Sequence, residues 1–279
     1  MRIGLHARPE VSAFRAIAAG LAAHGCTAVW QRPSLWREAN APHDLDVAVV
    51  CGMSREAGRI AAFYRARTVP VWIVELPRLR EEIGASSLLL NDLHWLPATG
   101  KRPVVAPPIL SARRPVALLV TPQKADDAAH GMNGPALERW IRDTVTDCRA
   151  WHPDLPVHVR PHPRTGTKVP ADRWGADLAV TTGEDLRTTF ASAAAVITFN
   201  STTGWDAIAA GVPVVSTAPT PACSYASYTT TLRALEPLPA RRRTEALRRA
   251  AASQWTMGEM ADGTAVGVML RAMASPAAQ

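Results

Sequence analysis

The chain of 279 residues carries 31 Lys+Arg against 24 Asp+Glu, a formal net charge of +7, with 47% hydrophobic and 20% charged residues. Those proportions exclude a disordered chain, a coiled coil and a collagen-like repeat, and the length suits two modest domains or one large one. No apolar run approaches the ~18 residues of a membrane span, and the opening Met1-Arg2-Ile3-Gly4-Leu5-His6 lacks the apolar core of a secretion signal, so a cytoplasmic protein with no stable membrane association is expected.

Elements follow one another in a regular alternation. Ile3 to His6 opens a short strand, residues 12–24 form an amphipathic helix closed by Gly25, and residues 27–30 return as a strand. The apolar run at 46–52 has the look of a buried parallel strand, followed by a helix over 54–67 with Ser54 as its N-cap. Residues 69–75 are a second buried strand that places Glu75 at its carboxyl end. Pro97, Pro103, Pro107, Pro108 and Pro115 then mark a linker. A second series begins with a strand over 116–122, a helix over 134–150 and strands at 157–160 and 177–181. A short helical stretch at 188–193, a buried strand at 195–199, a helix over 204–210 capped by Gly211 and a strand at 212–216 follow, and residues 241–274 read as mainly helical with a break near 258–263. Strands alternating with helices in this way indicate α/β domains, here residues 1–111 and 112–279, with a ligand cleft expected at the carboxyl ends of their sheets.

Charge is spread over both parts: 13 basic and 9 acidic residues up to position 111, 18 and 15 beyond it. Only Lys101, Lys124 and Lys168 are lysines, a bias that says little about mechanism. A polyanionic partner and a phosphate-bearing substrate both fit the surplus. The four cysteines (Cys26, Cys51, Cys148, Cys223) are isolated from one another and from histidines at ligand spacing, so no metal site or disulfide is expected and the thiols read as buried and inert.

Two stretches carry chemistry. Asn200-Ser201-Thr202-Thr203 joins a buried strand to a helix start, where unpaired N–H groups and hydroxyls suit an anion and Asp206 in the first turn suits ribose hydroxyls; an empty N-cap explains the same residues equally well. Arg160-Pro161-His162-Pro163-Arg164 follows a strand directly and sets two guanidinium groups and an imidazole in a stiff loop, a pattern suited to phosphate. Gln123 and Lys124, after the first strand of the second domain, are placed to reach the same ligand. Trp95 and Trp205 are candidates for stacking on a base or sugar. Arg241, Arg242, Arg243, Arg248 and Arg249 form the densest positive patch, read either as a solvated helix face or as a contact for DNA phosphates.

The His162-Pro163-Arg164 loop, with the Asn200-Ser201-Thr202 turn some 35 residues later and Gly211-Val212-Pro213-Val214 after the helix, resembles the donor domain of GT-B glycosyltransferases, in the capsule-polysaccharide and Kdo-transferase-like branch. That resemblance implies two Rossmann-like domains facing a cleft, with His162, Arg164, Ser201 and Thr202 on the donor diphosphate and Asp206 on the ribose. It implies a nucleotide-diphosphate sugar, UDP-linked, as co-substrate, with no cofactor and no metal. Residues 71–80, 88–97, 121–134 and 254–263 further resemble segments of small phage-encoded proteins that glycosylate 5-hydroxymethylpyrimidines in DNA, which implies double-stranded DNA as partner. Leu76-Pro77-Arg78 departs from that pattern, which has a glycine before an aromatic. A glycan or lipid-linked sugar acceptor, or a non-catalytic nucleotide-binding role on the same fold, remain alternatives. For inverting transfer the base comes from the first domain, with Glu75 preferred, then Asp92 and His94; Asp46 begins its strand and faces the wrong end.

Overall fold

The computed structural model describes residues 1–52, 54–75, 85–90, 115–127, 130–165, 170–180, 183–218 and 225–274. The chain divides into two compact units, Met1–Pro103 with Arg249–Gln279, and Val104–Arg248.

The first unit begins with β1 (Arg2–His6), α1 (Ser12–Ala23), β2 (Thr27–Gln31), β3 (Val47–Cys51), α2 (Arg55–Arg65), β4 (Val71–Glu75) and β5 (Ala85–Leu90). The first four strands are parallel in the order β2-β1-β3-β4, and β5 runs antiparallel to β4. Alternation along β3 divides the core: Val47 and Val49 join Ile3, Leu5 and Phe14, Ile17 and Leu21 of α1, while Ala48 and Val50 join Ile60 and Tyr64 of α2. A strand covered on both faces has to be apolar throughout, which is why this run carried a clear signal. Ser54 caps α2 as expected, its Oγ accepting from Ala57 N–H at 3.2 Å. The strand β5 had no counterpart in the sequence reading.

The second unit holds β6 (Ala117–Val120), α3 (Gly134–Trp151), β7 (Val157–Val159), β8 (Leu178–Ala179), α4 (Leu186–Ser192), β9 (Ala193–Thr198), α5 (Thr203–Ala210) and β10 (Val214–Ser216), and the division between the units falls within α6 (Ala240–Ala252). Its five strands are all parallel, in the order β8-β7-β6-β9-β10. Leu118, Val120, Ile141, Val145, Val157 and Ile197 form the core under α3. Asp177 fastens the edge: its carboxylate accepts from Val157 N–H at 2.7 Å and from Arg149 at 3.0 Å, and these bonds hold its pKa below the usual carboxylate range.

The expected boundary at residue 111 is corrected by the return of the C-terminal segment to the first unit. The strand β11 (Gln254–Thr256) pairs antiparallel with β5, making a six-stranded sheet, at positions the sequence placed in a mainly helical stretch whose break was expected near 258–263. Gln254 and Trp255 are buried there, and a strand that supplies backbone partners to β5 satisfies polar groups a helix would leave orphaned. Next, α7 (Met257–Ala261) and α8 (Thr264–Met273) close on α1. Gly20 of α1 is obligatory for that contact, since a Cβ there would lie 2.0 Å from the Met260 carbonyl oxygen. Trp72 Nε1 donates to Met273 Sδ at 3.2 Å, tying β4 to α8. Among the described residues no helix is long and apolar enough to cross a membrane.

Candidate functional site

In a doubly wound sheet, ligands bind beyond the carboxyl ends of the strands where adjacent connections leave to opposite sides. In the second unit that point lies between β6 and β9, because the chain leaves β6 toward β7 and leaves β9 toward β10. The strand ends are pinned there. Thr121 N–H donates to the Ile197 carbonyl at 2.8 Å, and Thr198 Oγ1 donates to the Thr121 carbonyl at 3.1 Å, with both threonines buried. Beyond the strands, Asn200 N–H donates to Gln123 Oε1 at 3.2 Å, so the loops after β6 and β9 are joined by two of the residues the sequence singled out.

Ser201 organises the start of α5. Its Oγ accepts from Thr203 N–H at 3.2 Å and donates to Thr203 Oγ1 at 3.1 Å, while its carbonyl accepts from Gly204 N–H at 3.0 Å and from Tyr225 Oη at 2.7 Å. The expectation of unpaired N–H groups at this helix start is therefore corrected at positions 203 and 204, whose donors Ser201 engages. The hydroxyl-bearing side chains of Ser201, Thr202 and Thr203 are half-buried, as is Asp206 in the first turn. Tyr225, buried and not among the residues the sequence singled out, packs against Gly204: a Cβ at that position would come within 2.4 Å of Tyr225 Cζ. Trp205 is corrected too. It is fully buried, edge-on to Tyr225 at 5.7 Å, and cannot stack on a ligand; its counterpart Trp95 lies outside the described residues.

The loop after β7 supplies the cations. Arg160 does not project as a free donor, because its guanidinium bonds to Thr189 Oγ1 and, at 2.6 Å, to the Glu184 carbonyl. Its role is to brace the approach to α4. His162 Nδ1 accepts from Arg164 N–H at 3.1 Å, which leaves Nε2 as the ring's donor. Arg164 is exposed, as is Lys124 after β6. A further histidine that the sequence reading passed over, His130, holds the loop of Lys124: its Nε2 donates to the Lys124 carbonyl and its Nδ1 accepts from Met132 N–H, both at 2.9 Å.

In the first unit, Glu75 stands at the carboxyl end of β4, with Oε1 3.5 Å from where a Cβ on Gly52 would sit. Burial and then the Glu75 charge raise the pKa of the neighbouring Cys51 thiol. Cys51 is exposed and Cys26 half-buried, against the expectation of buried thiols; Cys148 is buried as expected, and Cys223 lies outside the described residues. Asp92 and His94, the alternative bases, also lie outside them. Asp46 is at the amino end of β3, where its carboxylate accepts from Arg2 N–H at 2.6 Å.

The arginine patch on α6 changes most. Arg243 is 8% exposed, and its guanidinium bonds to the carbonyls of Ile208 (3.1 Å) and Ala209, capping the carboxyl end of α5; it is a packing residue, not a DNA contact. Arg242 bonds to the Ser227 carbonyl and lies 5.8 Å above the Tyr228 ring. Arg241, Arg248 and Arg249 are exposed.

The two doubly wound units make up an α/β fold of the GT-B-like kind, as expected from the sequence. Among solved structures the chain is similar to Thermosulfurimonas dismutans KpsC, β-Kdo 2,4 transferase, at a TM-score of 0.53 and 15% identity over 91% of this chain and 90% of that one. It is also similar to Thermosulfurimonas dismutans KpsC, β-Kdo 2,7 transferase, at 0.50 and 16% over 95% and 98%. No protein-family model and no curated protein matches the sequence.

Proposed function

We propose that the chain is a glycosyltransferase that takes its sugar from a nucleotide-diphosphate donor, UDP-linked and without a metal, and delivers it to a 5-hydroxymethylpyrimidine in DNA. The observation that carries the donor half is the Gln123–Asn200 hydrogen bond, which unites the loops on either side of the second unit's switch point. The diphosphate is held by Arg164, by His162 through Nε2–H and by the hydroxyls of Ser201, Thr202 and Thr203, with Lys124 at the rim and Asp206 on the ribose. These donors stabilise the charge that grows on the leaving diphosphate as the anomeric C–O bond breaks. The acceptor hydroxyl loses its proton to Glu75 as its oxygen bonds to the anomeric carbon.

The DNA half is supported by the resemblance to phage-encoded transferases and by the exposed arginines 241, 248 and 249, which give a phosphate backbone cations to approach. A screen of nucleotide sugars against hydroxymethyluracil and hydroxymethylcytosine DNA, read by nucleoside mass spectrometry, is expected to show the added sugar. Absence of transfer from every nucleotide sugar defeats the reading. A glycan acceptor is the second reading, favoured by the likeness to two proteins named as Kdo transferases. Transfer to an oligosaccharide but not to DNA in the same screen selects it.

A further inference from the structure

The loops that meet at the second unit's switch point are joined twice. One link is the hydrogen bond from Asn200 N–H to Gln123 Oε1. The other runs through aromatic rings. The His130 ring stands edge-on to Phe199, with centroids 6.2 Å apart at 78°, and Trp140 of α3 meets the same Phe199 ring at 6.2 Å and 88°. Trp140 Nε1 donates in turn to Thr217 Oγ1, just beyond β10, at 2.8 Å. The backbone of Phe199 is held as well: its carbonyl accepts from Ser216 Oγ at 2.6 Å and from Ala218 N–H at 3.3 Å. Phe199 directly precedes Asn200-Ser201-Thr202, so the loops after β6, β9 and β10 are tied together at the residue where that turn begins.

His130 does more in this brace than fill space. A backbone N–H can only donate, so Met132 N–H, 2.9 Å from Nδ1, fixes that nitrogen as the acceptor. The ring proton then sits on Nε2, aimed at the Lys124 carbonyl 2.9 Å away. One neutral tautomer thus clips Met132 to Lys124, and a ring lacking either role opens the clip. The backbone inside the clip is strained. Asp126 has φ +62°, a left-handed conformation that its side chain disfavours, and its N–H donates to the Met132 carbonyl at 2.9 Å. Gly131 takes a second left-handed position, φ +68°, where no side chain resists. Strain of this kind persists only where neighbouring bonds over-determine it. The two bonds of His130 and the Asp126–Met132 bond supply that constraint, and exposed Lys124 stands at its edge.

We infer that His130 is a positioning residue of the donor site: as the Nε2–H tautomer, and through Phe199, it presets the loops of Lys124 and Asn200 in the arrangement that the donor diphosphate meets. The inference rests on the glycosyltransferase reading and adds to it a residue that acts without touching substrate. Its effect is on preorganisation, because loops ordered in folding need not be ordered again in binding. Lys124 is where that effect is felt most. Its ammonium is a point charge on a flexible stem, so it reaches a phosphate reliably only while the backbone beneath it is fixed. Arg164 is independent of the clip, since it stands on the loop after β7, where its own N–H donates to His162 Nδ1.

The test combines nitrogen NMR of the full-length protein with calorimetric titration of UDP. In mildly alkaline buffer, where imidazoles are neutral, the His130 ring, assigned by its loss in His130→Phe, is expected to show Nε2 protonated and Nδ1 bare. The opposite tautomer overturns the clip. His130→Phe keeps a ring beside Phe199 and loses both hydrogen bonds, and it is expected to weaken UDP about tenfold. His130→Asn, whose Oδ1 can accept from Met132 N–H, should recover part of that loss. A double-mutant cycle separates positioning from general loosening of the fold. Lys124→Ala is expected to weaken UDP about fivefold in the parent and less than about twofold in His130→Phe, whereas Arg164→Ala should weaken it equally in both. Equal losses from Lys124→Ala in the two backgrounds, or UDP affinity indifferent to His130→Phe, overturn the inference, while dependence on Arg164 keeps the donor site. If the parent binds no UDP, the donor reading falls and the inference with it.

Discussion

Replacing Arg243 with alanine separates a helix cap from a nucleic-acid contact. The guanidinium bonds to two carbonyls at the end of α5, those of Ile208 and Ala209. The Ile208 carbonyl keeps a second donor, Gly211 N–H at 3.1 Å, but the residue four positions beyond Ala209 is Pro213, which has no N–H to offer. Truncation therefore strands the Ala209 carbonyl in a buried setting and removes the packing of a side chain that is 8% exposed. A hydrogen bond to a charged group contributes about 1.5–3 kcal/mol, and the packing loss brings the total to about 3 kcal/mol. For a cooperative unit of roughly 150–250 residues that is a fall in Tm of about 6–12 °C. Calorimetry of Arg243→Ala beside the exposed Arg248→Ala measures it; the second variant is expected within about 0.5 kcal/mol of the parent. If Arg243→Ala were as stable as the parent and instead lowered DNA affinity with a shallower salt dependence, Arg243 would be a phosphate contact and the cap assignment wrong.

Gly204→Ala drives a methyl group into Tyr225, and urea denaturation is expected to show a loss of about 1–3 kcal/mol together with weaker UDP binding; Tyr225→Phe, which loses only the bond to the Ser201 carbonyl, should lose about 1 kcal/mol. His6 has a folded pKa of about 4 against 6.5 unfolded, so between those values the unfolded chain takes up a proton that the folded chain refuses. Stability should therefore fall as pH drops from about 6.5 to about 4, by on the order of 3 kcal/mol, with no further His6 contribution below that window. A His6→Gln variant that keeps the same slope contradicts the assignment. Cys51, at the carboxyl end of β3, is exposed although burial and Glu75 raise its pKa, whereas Cys148 is buried and its thiol is pushed up to about 12. A thiol reagent should modify Cys51 in the folded protein and leave Cys148 untouched until unfolding, as peptide mass spectrometry would show.

The parts of the fold legible in the sequence are those fixed by local rules. The run Val47–Cys51 had to be apolar to be covered on both faces, Ser54 caps the next helix, and Gly211 ends α5 with φ +77°. Because every strand of the second unit is parallel, the loops after β6, β7 and β9 all emerge at the same end, and motif residues at strand ends converge without further information. What sequence could not show is nonlocal. β5 pairs with β4 on one side and β11 on the other, and β11 is a three-residue strand whose only partner among the described residues is β5; three residues carry no periodicity. Arg243 sits in a run of arginines, and only the position of α5 turns it inward. Tyr225 contributes through its fit over Gly204, 21 positions away in sequence, and the burial of His6 follows from the packing around β1, which no local pattern records.

The central claim is that the loops at the switch point of the second unit hold a nucleotide diphosphate, and calorimetric titration with UDP tests it most directly. The account predicts saturable binding by the parent protein, weakened about tenfold or more by Arg164→Ala and by His162→Ala, and unchanged by Arg8→Ala in the other unit. Binding of UDP that is indifferent to Arg164 and His162, or no binding of any nucleoside diphosphate, would contradict it.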